Sequence, residues 1–188
     1  MDLTWWSKAL LLPPERSIEN TRRDVIQAWS DAAGTKGLGG YYISPNQAQP
    51  EPGAAFSIPI PYSIARGKEH INTQEMRAVE QVLLHWGKNW KGMRVQIHVD
   101  NKAVAHEVSN STIRGGSMND WCRCLLLASE YDFDLEARWV STRDNALADA
   151  LSRLEYKRIA DLAPQLLHPT CSLQQHGFLT YSSRDCQN

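Results

Sequence analysis

The chain has 188 residues, of which 42% are hydrophobic and 22% charged, which is typical of a globular domain and excludes a disordered chain. The formal net charge of −1 gives no strong basic footprint, so composition alone favours a protein that does not bind nucleic acid. The competing interpretation is a domain whose substrate is held mainly by a neighbour, and it depends on the motifs. No segment approaches the roughly 20 consecutive apolar residues of a membrane span, so we expect no membrane partner.

The first part of the chain predicts a lead-in segment and then three strands. Residues 1–21 hold the aromatic pair Trp5-Trp6, which would need a partner or the domain surface to cover it. The strands follow at Asp24–Asp31, Leu38–Ser44 and Ala54–Ile60, with a glycine-bearing turn between the first two. Their short connections predict an antiparallel meander.

The pattern then changes to alternating helices and strands. Residues 72–86 carry apolar side chains at helical spacing, and Asn72 followed by Glu75 fits a capping box. The later elements are a strand at 94–100, helices at 102–108 and 118–131, a strand at 135–140 and a helix at 145–154. This order predicts an α/β domain with a mixed five-stranded sheet, three antiparallel and then two parallel strands, flanked by helices.

The predicted domain spans residues 22–156, and the periodicity fades after Tyr156. Residues 157–188 are interpreted as a linker or as the start of a neighbouring domain. The four cysteines, Cys122, Cys124, Cys171 and Cys186, show no zinc-site spacing. We interpret them as reduced thiols and expect an intracellular location, cytoplasmic or nuclear rather than secreted.

Four acidic residues stand at positions where element ends can converge, namely Asp31, Glu75, Asp100 and Asp149. A cluster of carboxylates repels itself unless cations neutralise it, and hard oxygen ligands suit Mg²⁺ or Mn²⁺. Two such ions about 4 Å apart would activate a water and stabilise the leaving oxygen of a phosphodiester.

Each of these residues also has an ordinary structural interpretation. Asp31 precedes a turn, and Glu75 would suit the start of a helix. Asp100, followed by Asn101, would fit a helix cap, and Asp149 would fit a solvated helix face. The metal hypothesis therefore depends on all four occurring in order between the expected elements.

Four blocks of sequence together resemble a known family. They are WSDAAGTKGLGGYY, HINTQEMRAVEQVLLHW, VQIHVDNKAVAHEV and ARWVSTRDNALADALSRL, and they cover about residues 22–156. They resemble the ribonuclease H domain of retroelement reverse transcriptases, especially fungal elements of the DIRS-like and Ty3/gypsy-like kinds. The ADALSR ending is the most specific block, and the lead-in resembles the segment that joins polymerase to ribonuclease H.

The resemblance implies a ribonuclease H-like fold and a two-metal endoribonuclease that cleaves the RNA strand of RNA–DNA hybrids. It places the family's four acidic ligands on Asp31, Glu75, Asp100 and Asp149, with two Mg²⁺ ions for which Mn²⁺ can substitute. The implied partners are the hybrid and a reverse transcriptase polymerase domain in the same polyprotein. Many members carry a His in the loop before the last helix, and here that loop has Arg143 instead, which would substitute or leave turnover slower.

The candidate substrate contacts lie around these carboxylates. They are Ala33, Gly34, Asn101, Lys102, Arg143 and Asn145, with the amides near Gly34 expected to approach a ribose 2′-OH. A second possible surface combines Lys88, Lys91 and Arg94 with Trp86 and Trp90, although two core tryptophans at a solvated helix end explain that pattern equally well. His98 fits a polar strand position better than a metal ligand.

Two other functions stay open at this point. A catalytically inactive ribonuclease H-like module would serve as a structural or nucleic-acid-binding part, but none of the four acidic residues has been lost. A DNA transposase or junction resolvase of the same superfamily is the other alternative, and the ADALSR block argues against it.

Overall fold

The computed structural model describes residues 23–60, 69–110 and 118–167 of the chain. The predicted lead-in at 1–21, with Trp5-Trp6, and the tail from residue 168 lie outside these ranges, as do Cys171 and Cys186. Cys122 and Cys124 are free thiols, as predicted. No helix in the described ranges is both long enough and apolar enough to cross a lipid bilayer.

The described residues form one five-stranded mixed sheet. Its strands are β1 (Val25–Ala32), β2 (Gly37–Ile43), β3 (Ala55–Pro59), β4 (Arg94–Val99) and β5 (Asp134–Trp139). Their order across the sheet is β3-β2-β1-β4-β5. β1 pairs with β2, and β2 with β3, in antiparallel fashion, whereas β1–β4 and β4–β5 are parallel. The predicted fold class is confirmed, with strand ends shifted by about one residue.

Five α-helices accompany the sheet in the described ranges. They are α1 (Ile71–Trp86), α2 (Lys102–Asn110), α3 (Met118–Glu130), α4 (Ala146–Ser152) and α5 (Tyr156–Leu162). The predicted capping box at α1 is wrong, because the N-cap is His70, whose Nδ1 accepts from the Asn72 amide. The Asn72 side chain accepts instead from Asn101, which ties the start of α1 to the start of α2.

The helices cover the two sheet faces separately. On one face, α1, α2 and α3 bury a large apolar core that includes Met76, Val104 and Leu127. On the other face, α4 and α5 form a smaller core over the antiparallel part of the sheet, with Leu151 and Ile159 fully buried. The alternation of side chains along each strand supplies both cores, since successive residues point to opposite faces.

The packed domain continues beyond the predicted end at Tyr156. Helix α5 is followed by a 3₁₀ turn at Pro164–Leu167, and Ile159, Ala163 and Leu166 are buried in the smaller core. Gln165 also donates to the Pro50 carbonyl in the β2–β3 loop. The interpretation of residues 157–167 as linker is therefore wrong, because these residues bury apolar side chains on the sheet.

Glycine lets α4 approach β2 closely. A Cβ atom on Gly39 would lie 2.3 Å from the Ser152 amide nitrogen and 2.7 Å from the Ala148 carbonyl oxygen, closer than real atoms pack. Gly39 is also the strand partner of Asp31. The absence of a side chain at Gly39 therefore places the end of α4 directly beside Asp31.

A buried charge network joins α1 to α3. Arg123 lies 3.6 Å from Glu80 and 3.4 Å from Asp120, and Arg77 lies 3.7 Å from Asp120. Glu80 is only 3% exposed. Burial, with a smaller contribution from Asp120, raises the pKa of Glu80 to about 7, although Arg123 and Arg77 favour its ionised form.

This network predicts that Glu80→Gln stabilises the protein at alkaline pH. A carboxyl group whose pKa is higher in the folded state binds its proton more tightly there. The contribution of Glu80 to the free energy of unfolding is therefore full below its unfolded-state pKa and is lost as pH rises through about 7. Urea unfolding should show the variant gaining up to about 3 kcal/mol over wild type at pH 8 and little at pH 5. Glu51→Gln, at an exposed loop position, is the control. An equal effect of Glu80→Gln at both pH values would contradict the assignment.

Candidate metal centre

Three of the four predicted carboxylates meet at one edge of the sheet. Asp31 and Asp100 lie at the carboxyl ends of the adjacent parallel strands β1 and β4, and Glu75 reaches them from α1. One carboxylate oxygen from each of these residues lies within 4.8 Å of the other two. Neighbouring parallel strands end at the same edge, which is why residues 69 positions apart in sequence come together here.

Asp31 is held in place by two side chains from the α4 region. Ser152 donates to Oδ2 of Asp31, and Asn145 donates to Oδ1 at 3.5 Å and to the Ser30 carbonyl at 3.1 Å. Burial, together with the negative charges of Asp100 and Asp149, raises the pKa of Asp31 to about 6, although the Ser152 hydrogen bond works against the increase. The carboxylate is thus oriented but poorly neutralised.

Glu75 lies deeper in the cluster. Its carboxyl group is buried, and its Oε2 has no hydrogen-bond partner among the described residues. Burial raises its pKa well above the ordinary value, and the charges of Asp31 and Asp100 raise it further. An unpartnered buried oxygen beside two more carboxylates is what a hard cation requires, so the donor set fits Mg²⁺ or Mn²⁺.

Asp100 is fixed by the loop that follows β5. Thr142 donates to its Oδ2 at 2.9 Å, and the indole Nε1 of Trp139 donates to its backbone carbonyl at 3.0 Å. Thr142 therefore orients the Asp100 carboxylate, whereas the Trp139 contact involves only the backbone of Asp100.

Asp149 is not part of the three-carboxylate cluster. Arg153 donates to its Oδ1 at 2.6 Å, and Arg158 of α5 donates to its Oδ2. Partial burial works against ionisation, but these two hydrogen bonds hold the pKa of Asp149 below its ordinary value. Asp149 is close enough for its charge to raise the pKa of Asp31, so it borders the cluster with both oxygens engaged by arginines.

Several predicted substrate contacts have structural roles instead. The Ala33 amide donates to the Gly37 carbonyl and closes the β1–β2 turn, so it is not available to a ribose. Asn101 caps α2 by accepting from the amides of Ala103 and Val104. Asn145 is fully buried against β1, so it positions Asp31 rather than touching a substrate.

The other predicted contacts stay accessible. Gly34 adopts the left-handed conformation, with φ of +54° and open space at its Cβ position. Lys102 and Arg143 are exposed on the side of the domain that carries Asp100. Which of them touches a substrate stays a prediction.

The second possible nucleic-acid surface, around Lys88, and the histidine His98 both have ordinary structural roles. Trp86 and Trp90 are 4% and 2% exposed and belong to the larger core, so they cannot interleave with Lys88, Lys91 and Arg94 as a stacking surface. His98 stacks on Trp29 and bonds to Gln27, which places its ring among polar sheet residues and outside the carboxylate cluster.

The sequence interpretation did not include the residues that orient the carboxylates. Ser152 and Arg153 lie in the ADALSR block, so that block carried a signal for them. Thr142 and Arg158 act through contacts between elements that are distant in sequence, and no local pattern marks them.

Comparison with solved structures agrees with this architecture. The N-terminal RNase H domain of a Mycobacterium tuberculosis protein superposes with a TM-score of 0.52 and 20% identity, covering 68% of this chain and 93% of that domain. RNase H1 from the halophilic archaeon Halobacterium salinarum gives 0.55 and 16%, covering 70% and 98%. LC11-RNase H1, solved with an RNA/DNA hybrid, gives 0.53 and 16%, covering 68% and 91%. No protein-family model and no curated protein sequence matches the chain. At these identities the likeness shows the fold, which is ribonuclease H-like.

Proposed function

We propose that this chain is a ribonuclease H: an endoribonuclease that cleaves the RNA strand of RNA–DNA hybrids. The observation that carries the proposal is the meeting of Asp31, Glu75 and Asp100 at the ends of β1, β4 and α1, within 4.8 Å of one another. The RNase H1 neighbours share the overall fold, and one of them was solved with an RNA/DNA hybrid.

The chemistry follows from the electrostatics of the cluster. Divalent ions, two Mg²⁺ in the proposal with Mn²⁺ as substitute, would supply an activated water and stabilisation of the leaving 3′ oxygen, giving 5′-phosphate products. The chain supplies the ligands: Asp31 and Glu75, which are buried, and Asp100, which is partly exposed. Ser152 and Thr142 keep the Asp31 and Asp100 carboxylates in fixed orientations. Pre-orientation of this kind lowers the cost of assembling the site when a phosphodiester arrives.

The fourth predicted carboxylate, Asp149, affects how readily a second metal ion can bind. Asp149 would join the site in competition with two arginines, since each of its oxygens already accepts a hydrogen bond from Arg153 or Arg158. Arg158 comes from α5, outside the helix that carries Asp149. The arginines thus compete with metal for this carboxylate.

Removing Arg158 is therefore expected to strengthen Mn²⁺ binding. Arg158→Ala should free one oxygen of Asp149 and remove a positive charge beside it, which should lower the Mn²⁺ concentration needed to fill the weaker site by about tenfold, the equivalent of about 1.4 kcal/mol of relieved repulsion. Titration by calorimetry or electron paramagnetic resonance measures it. Lys157→Ala removes the same charge from an exposed neighbour and should leave Mn²⁺ binding unchanged. Equal or weaker Mn²⁺ binding by Arg158→Ala would contradict the competition.

The wider setting is also part of the proposal. The four sequence blocks that resemble retroelement ribonuclease H domains support an origin in a reverse transcriptase polyprotein. The net charge of −1 leaves little counterion release to drive binding, which fits a domain that receives its hybrid from a linked polymerase. The proposed partners are therefore the hybrid and a polymerase domain in cis.

A substrate comparison tests the function. The chain, supplied with Mg²⁺, is incubated with one end-labelled sequence as RNA–DNA hybrid, RNA duplex, DNA duplex and branched DNA junction. We expect cutting of the RNA strand in the hybrid alone, with 5′-phosphate and 3′-hydroxyl ends. Preference for the junction or the DNA duplex would support a resolvase or transposase, and hybrid binding without cutting would support an inactive module.

A further inference from the structure

An exposed tryptophan stands next to the carboxylate cluster. Trp139 is the last residue of β5 and is 48% exposed, the largest exposure among the bulky apolar side chains in the described ranges. It belongs to neither apolar core. A tryptophan left in water at a strand end contributes little to folding, so its position calls for another explanation.

The ring is nevertheless held in one orientation. Its Nε1 donates to the Asp100 carbonyl at 3.0 Å, which fixes the polar edge of the indole against the backbone of a cluster residue. The Lys102 ammonium lies 4.6 Å from the ring centroid, within the range of a cation–π contact. The result is a flat aromatic surface with a positive charge over it, hydrogen-bonded to the backbone of one of the three cluster residues.

This combination suits a nucleic-acid strand. Aromatic rings accept the π-face of any base, and an ammonium group beside the ring can pair with the adjoining phosphate. Because the ring is hydrogen-bonded to the backbone of Asp100, a strand whose phosphodiester reaches the Asp100 carboxylate would run near the ring. The strand at that position is the one that is cut.

We propose that Trp139, with Lys102 beside it, forms a stacking platform that positions the RNA strand next to the phosphodiester to be cleaved. The ring would pack against a base or ribose, and the ammonium would exchange its cation–π contact for a phosphate. The platform rests on the proposed ribonuclease H function and adds a specificity-determining residue to it. Trp139 is a binding residue here, with the carboxylates performing the chemistry.

The test measures binding and turnover separately. A fluorescein-labelled RNA–DNA hybrid is titrated with protein in EDTA, followed by anisotropy, and KM and kcat are measured in Mg²⁺. Trp139→Ala should raise Kd and KM about tenfold, within the range for loss of one base–aromatic stack, with little change in kcat. Trp139→Phe keeps a stacking surface and should recover most of the binding. Lys102→Ala should reduce the slope of log Kd against log salt by about one.

Controls separate this role from a structural one. Tyr156→Ala removes another exposed aromatic, 47% exposed on α5, and should leave Kd unchanged. If Trp139→Phe behaves like Trp139→Ala and both weaken Mn²⁺ binding, the indole hydrogen bond orients Asp100 and the platform is overturned. Wild-type Kd and KM in Trp139→Ala would overturn it as well.

The outcomes also distinguish the platform from the proposed function. If the wild type cleaves hybrid and Trp139→Ala matches it, the platform fails and the function stands. If the wild type binds hybrid without cleaving it and Trp139→Ala binds about tenfold more weakly, the function fails and the binding platform stands.

Discussion

Asp31→Asn is expected to abolish cleavage of an RNA–DNA hybrid and, in the absence of divalent ions, to stabilise the fold. Changes to residues that merely contact a metal ligand typically cost 10- to 100-fold, so loss of a ligand should cost more than about a hundredfold in rate. The gain in stability has a separate cause. Burial raises the pKa of Asp31 to about 6, so keeping the carboxylate ionised at pH 7.5 costs folding free energy that asparagine does not.

The pH dependence of that gain can be stated from the same shift. Because the folded-state pKa is raised, the stability contributed by Asp31 is present at acidic pH and lost as pH rises through about 6. Urea unfolding in EDTA should show that the free energy of unfolding of Asp31→Asn exceeds that of wild type by roughly 1–3 kcal/mol at pH 7.5 and by little at pH 4.5. The control is Asp161→Asn, which removes an exposed carboxylate from α5. A lower melting temperature for Asp31→Asn would show that Asp31 is structural.

Gly39→Ala should destabilise the fold and reduce activity together. The added methyl group would lie 2.3 Å from the Ser152 amide nitrogen and 2.6 Å from the Leu151 Cβ, and backbone cannot give way as a flexible side chain can. Helix α4 must move away from β2, and the hydrogen bond from Ser152 to the Asp31 carboxylate would then be lost. Overpacking of this kind costs typically about 1–3 kcal/mol.

Thermal unfolding and hybrid cleavage measure the two effects of Gly39→Ala. Gly87→Ala is the matched control, because its methyl group would meet only the Tyr131 and Phe133 rings, at 3.2 Å and 3.3 Å. It should cost less stability and leave cleavage unchanged. If Gly39→Ala folds and cleaves like wild type, α4 is not positioned by close contact with β2.

The sheet and three of its carboxylates could be predicted because their signals are local. Alternating apolar residues mark the strands, and the order of strands and helices fixes which ends are neighbours. Asp31 is the second-last residue of β1 and Asp100 directly follows β4, and the parallel pairing of these strands brings the two residues together. Glu75 was placed in the cluster correctly, although the capping role considered for it was wrong.

The remaining errors concern contacts that no local pattern reveals. Asn145 has the sequence of a loop residue before a helix, but tertiary packing turns it inward onto Ser30 and Asp31. Asp149 stays a predicted metal ligand, but its contact with Arg158, which comes from a later helix, has no local signal in the sequence. Helix α5 has only two turns, too short for a periodic signal, and its burial depends on the sheet beneath it. The retroelement origin, the polymerase partner and the intracellular location stay predictions.

The most direct test compares wild type and Asp31→Asn on one labelled hybrid. Both proteins are purified side by side, so that a contaminating host nuclease would appear equally in each, and are assayed with Mg²⁺, with Mn²⁺ and with EDTA. The account predicts that wild type cuts the RNA strand with either ion and not in EDTA, and that Asp31→Asn cuts in none of the three. Equal cutting by the two proteins, or cutting by wild type in EDTA, would contradict a metal-dependent nuclease centred on Asp31.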